Sequence, residues 1–86
     1  MSNFVNRPDL EKAVEEMHKI DVEVSHWQIK SNEYKVKIAT EDKEIVLHEV
    51  MKQGLTNFVV LHIEDKATTY KKYSEAEDDG IAYLKE

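Results

Sequence analysis

The apolar positions of this chain change period several times, and each change predicts an element. Leu10, Ala13, Val14 and Met17 recur at i, i+3, i+4 and i+7, the stripe of a helix with one buried face. Pro8 suits the first helical position, and Asp9 and Glu11 favour the positive end of the helix dipole. The helix is predicted over about 8–19, with Lys19 near its C-terminal end. Phe4 and Val5, ahead of it, are expected to tuck against the domain from an irregular or edge segment.

Residues 21–31 then read as a strand through Val22, Val24, Trp27 and Ile29, although these four cannot share one face. Either a bulge sits near Ser25-His26, or Val22 belongs to the turn after the helix. Ser31-Asn32 suits a hairpin turn. Residues 33–39 alternate cleanly, with Tyr34, Val36 and Ile38 facing one way and Lys35 and Lys37 the other.

The pattern over 40–55 is ambiguous. As a helix, Val46, Leu47, Val50 and Met51 form one face, Gly54 takes the left-handed position after the last turn, and Leu55 packs back on Val50. As a strand, Ile45, Leu47 and Met51 would share a face with Glu49. The β-branched content favours the strand, but the helix avoids burying that carboxylate and is preferred.

Phe58-Val59-Val60-Leu61 is the one run of four large apolar residues. It predicts a central strand, 58–64, covered on both faces. Thr56-Asn57 is expected to lead into it and Glu64-Asp65-Lys66 to turn out of it. Thr68–Tyr73 reads as a short edge strand, its lysines discouraging sheet-edge association. Ser74 and Glu77 have capping-box spacing, which starts a last helix at about 75–85. Its narrow face is Ala76, Gly80, Tyr83 and Leu84, small enough at one end for close approach to a sheet or another chain.

The expected fold is one α+β domain over residues 1–86, ordered α-β-β-α-β-β-α, with a mainly antiparallel sheet of three to four strands and two to three helices. If 44–51 is a strand, the order becomes α-β-β-β-β-β-α. The predicted core is Leu10, Val14, Met17, Val36, Ile38, Leu47, Met51, Val59, Leu61, Ile63 and Leu84.

Composition narrows the chemistry. The 86 residues include no cysteine, which excludes disulfides, thiolate metal sites and cysteine nucleophiles. No apolar run nears a membrane span and no signal-peptide core opens the chain, so a cytoplasmic protein is expected. The net charge of −6 is unevenly placed. Residues 9–23 carry six acids and two lysines, residues 74–86 five acids and one lysine, and residues 24–73 seven acids and eight lysines.

Catalytic signatures are missing from the sequence: Gly54 and Gly80 are the only glycines, and no phosphate loop or nucleophile elbow is present. An enzyme is not expected, and neither a cofactor nor a metal is called for. Among His18, His26, His48 and His62 no ligand spacing stands out, and a small-ligand or metal site around His26, His48 and His62 is the weakest of the alternatives. Lysines with nearby aromatics, Lys35, Lys37, Lys71 and Lys72 above all, outline a second alternative, a sheet that binds nucleic acid. A single arginine and the acidic total disfavour it.

The acidic ends carry the preferred reading, a non-enzymatic protein whose carboxylates engage a basic protein partner. Glu15, Glu16, Glu75, Glu77, Asp78, Asp79 and Tyr83 are the candidate contacts. In size and charge the chain is similar to small acidic phage and mobile-element proteins that inhibit nucleic-acid enzymes by imitating a phosphate backbone. That likeness implies an inhibitor or regulator of such an enzyme. No motif matches a named family. A homodimer is compatible with each reading, because a core this small gains from association.

Overall fold

The computed structural model describes residues 10–86, with side chains from Val14 onward. The start of the first helix at Pro8 and Asp9, and the packing expected of Phe4, Val5, Leu10 and Ala13, lie outside the described residues. Two helices enclose a five-stranded meander: α1 (Leu10–His18), β1 (Glu23–Lys30), β2 (Glu33–Ala39), β3 (Glu44–Lys52), β4 (Leu55–Ile63), β5 (Lys66–Tyr70) and α2 (Tyr73–Leu84). Strand order follows chain order and every pairing is antiparallel. The class is α+β, in the five-strand order rather than the one with a third helix.

The segment expected to be a helix is β3, and its environment explains why. It pairs along its length with β2 and with β4, and Ile45, Leu47 and Glu49 alternate inward. The objection to a strand was the burial of Glu49, and Glu49 is indeed only 4% exposed. Its carboxylate accepts a hydrogen bond from the Thr56 hydroxyl of β4, which offsets part of the desolvation cost. A register shift after Val50 then releases the strand end. Gly54 does take positive φ, together with Gln53, but in the two-residue turn of the β3–β4 hairpin rather than after a helix. Leu55 does not pack back on Val50; it is 73% exposed.

In β1 there is no shift at Ser25-His26. Val22 lies before the strand, buried, and the irregularity falls between Gln28 and Lys30. Val24 and Trp27 consequently face opposite sides of the sheet, opposite Ile38 and Lys35 respectively.

One face of the sheet carries the core. Tyr34, Val36 and Ile38 of β2, Ile45 and Leu47 of β3, and Val59 and Leu61 of β4 meet Val14 of α1 and Ala76, Ile81 and Leu84 of α2. Met17, expected inside, is 70% exposed: α1 reaches the sheet only at its border, near β1. Met51 and Ile63 are half-buried at the edge of the core. Ile45 and Ile81 are central although the sequence did not place them there.

Helix α2 begins at Tyr73, two residues earlier than the capping box predicts. Lys72 occupies the N-cap without a side-chain cap bond, its ammonium having no acceptor to offer the helix N–H groups, while Tyr73 packs on the core and Glu77 turns toward α1. Gly80 lets this helix touch the sheet, since a Cβ there would collide with Ile45 Cδ1 and lie 3.1 Å from Leu61 Cδ1. The small residues serve close approach to the sheet.

Candidate functional site

The two acidic stretches identified in the sequence become the two helices, on one side of the sheet. His18, the last residue of α1, sets its Nε2 3.4 Å from Glu77 Oε1 and 4.0 Å from Asp78 Oδ1. That contact joins the C-terminal end of α1, which carries Glu15 and Glu16, to the middle of α2. Glu77 is largely covered by the contact, whereas the Asp78 side chain stays 67% exposed. Glu75 lies exposed in the first turn of α2.

The remaining candidates point elsewhere. Asp79 turns toward β5, where its Oδ2 accepts a hydrogen bond from the Tyr70 hydroxyl at 2.6 Å. This bond is also the main reason the Tyr70 phenol is held above its ordinary pKa. Tyr83, one turn on, donates from its hydroxyl to Glu64 Oε1 at 3.4 Å. Its other neighbour is Lys43, whose ammonium lies 4.8 Å from the ring centre. The same ammonium donates to the carbonyls of Tyr83 and Glu86 at 3.2 and 3.1 Å. Lys43 thus closes the negative end of α2, a role no sequence pattern announced.

Between α2 and the β4–β5 hairpin lies an open groove of about 390 Å³. Its floor includes Leu61 and Ile63. Asp79, Tyr83, Glu64 and Glu86 stand around it, with Lys66 as the one cation. Sequence reasoning found Asp79 and Tyr83 but missed Glu64, which reaches the groove only because the β4–β5 turn folds under α2.

The histidine alternative comes apart in the register. His48 and His62 share the face of the sheet away from the helices, on neighbouring strands. His26 pairs opposite Val36 and so lies on the helix side. His48 Nε2 is 3.1 Å from Glu33 Oε1. His62 is held below its ordinary pKa by burial, then by Lys35 and His48. Among the described residues no three His, Asp or Glu side chains gather as a metal-holding group.

The lysine alternative is divided as well. Lys35 and Lys37 share the open face, and Lys37 lies 3.8 Å from Glu44. Lys71 and Lys72 lie beyond β5, in the connection to α2. Among the described residues no helix is long and apolar enough to cross a membrane. Comparison with protein-family models, with curated proteins and with solved structures finds no match to this chain.

Proposed function

We propose that this is a non-enzymatic binding protein that engages a basic segment of a protein partner through the acidic side of α2. The observation that carries the reading is the groove beside Asp79 and Tyr83. Its apolar floor suits the aliphatic stem of a lysine or arginine, and its rim carries three carboxylates against one ammonium. Asp78 and Glu75, exposed on the same helix, extend the negative surface to neighbouring cations of the partner. An inhibitor or regulator that occupies the basic groove of a nucleic-acid-handling enzyme is the concrete form of this function.

The test uses a fluorescein-labelled octa-arginine peptide and anisotropy at low and at moderate salt. Wild-type protein is expected to bind, and Asp79→Asn with Glu64→Gln to weaken binding about five- to thirtyfold, each lost contact being worth about 0.5–1 kcal/mol. A control carrying Glu23→Gln and Glu41→Gln makes the same charge change away from the groove. Equal losses in the two double variants would mean that net charge, not the groove, attracts the peptide, and would sink the reading.

A further inference from the structure

The sheet has a second face, and among the described residues nothing covers it. Three cross-strand rows build its centre. Trp27, Lys35, His48, Val60 and Thr69 stand opposite one another across all five strands. Ser25, Lys37, Val46, His62 and Ala67 form the next row, and Glu33, Val50 and Phe58 the third. Val46, Val50, Phe58 and Val60, each half-buried, therefore make a contiguous apolar patch over β3 and β4. Trp27, the only tryptophan, stands at its border and is 44% exposed.

The run Phe58–Leu61 has the composition of a strand shielded on both sides, yet the helices shield Val59 and Leu61 alone. The molecule measures 35 × 27 × 18 Å, the thickness of one helix layer on one sheet.

We propose that this open face is the interface of a homodimer, two copies of the chain packing sheet on sheet. Its charge favours a like surface over a polyanion. Lys30, Lys35, Lys37 and Lys52 are nearly matched by Glu23, Glu33 and Glu44 on the same face. Most of these are already paired: Lys30 with Glu33 at 3.6 Å, His48 with Glu33 at 3.1 Å, and Lys37 with Glu44 at 3.8 Å. A polyanion would need a surplus of free cations, and Lys35 and Lys52 are the two lysines of this face without an ion pair among the described residues. Two such faces related by a two-fold axis can bring the apolar patches together and set Lys35 near a carboxylate of the other copy.

Five strands of five to nine residues, about 4.8 Å apart, present a flat area of roughly 600 Å², and the relief of the side chains brings it toward the about 800 Å² that a standard interface takes from each partner. Sheets packed in this way lie about 10 Å apart. The dimer goes beyond the binding reading above and leaves it intact, because both acidic helix layers point outward.

Sedimentation velocity of the full chain, with Trp27 emission followed over the same range, tests the proposal. Interfaces of this size dissociate at micromolar concentrations or tighter, so a dimer is expected across about 1–200 µM, its Trp27 emission moving to the red wherever dilution dissociates it. Val60→Lys, which leaves the monomer's core untouched, is expected to raise the dissociation constant by about a hundredfold or more. Val60→Thr, which keeps the strand-forming shape, serves if the lysine variant proves unfolded by circular dichroism, and should shift the constant in the same direction. A monomer throughout would overturn the proposal, and a shielded Trp27 in that monomer would assign the cover to the chain's own remaining residues. A folded Val60 variant that dimerises as wild type does, or a monomer that retains a labelled oligo-dT strand on this face, would overturn it equally.

Discussion

Gly80 decides how closely α2 approaches the sheet. Replacing it with alanine has two opposed effects. The helix gains about 1 kcal/mol of propensity, while overpacking against Ile45 and Leu61 costs about 1–3 kcal/mol. Gly80→Ala is expected to lower stability by about 1 kcal/mol net in urea denaturation. Ile45→Val removes the Cδ1 atom that the new methyl would meet, at its own cost of about 0.5–1.5 kcal/mol. The double variant should be more stable than the sum of the single losses predicts, with a coupling of about 1 kcal/mol; simple additivity would show that the contact does not limit the approach. The sequence displayed Ala76 and Gly80 as a small-residue stripe, but it did not display the breadth of the face. The neighbouring Ile81 is almost fully buried, and Tyr83, assigned to the stripe, stands partly outside it. Glu49 was a second misleading residue. A carboxylate in an apolar alternation argues against a strand until its partner is known, and Thr56 lies seven positions away across a hairpin that the helix reading removed.

β2 was legible because its burial follows from a single covered face, whereas the helices were legible as elements and not in what they bury: Met17 of α1 stands exposed and Ile81 of α2 is buried. β3 was not, because a strand paired on both sides takes its stability from neighbours that its own sequence does not mention. The same holds for the end of α2. That helix has no basic residue in its last turn, and the missing cation arrives from the β2–β3 connection as Lys43. Lys43→Met keeps the stem and removes the charge. It is expected to cost about 0.5–1 kcal/mol, the usual worth of a cation at a helix C-terminus, and to speed amide exchange at Lys85 and Glu86 while β1–β2 amides slow or hold. Those two amides close the final turn on Ile81 and Tyr83. Uniform acceleration throughout the chain would mean that Lys43 supports the whole fold rather than this terminus.

At the scale of the whole molecule the charges separate by layer. Acids dominate the helices, whereas the open face of the sheet carries four lysines against three glutamates, several of them paired with one another. With 18 acidic and 12 basic side chains the excess negative charge repels itself chiefly on the helix side, where Glu75, Asp78 and Asp79 lie within two turns of α2. Screening acts on both contributions. Repulsion among exposed carboxylates weakens as the Debye length shrinks from about 30 Å at 0.01 M to about 8 Å at 0.15 M. The exposed ion pairs also weaken, but pairs of this kind contribute only about 0–1 kcal/mol each, and Lys37–Glu44 and Lys30–Glu33 have one or both partners largely in water. The long-range repulsion should therefore dominate. The urea midpoint, read at one fixed protein concentration, is expected to rise as sodium chloride is increased, by about 0.5 kcal/mol in stability over that range of screening. Neutralising Asp78 by Asp78→Asn should remove part of the rise, because that side chain is the more exposed of the two facing His18. A midpoint that fell with salt would place the dominant electrostatics in the paired sheet face instead of in repulsion across the helix layer.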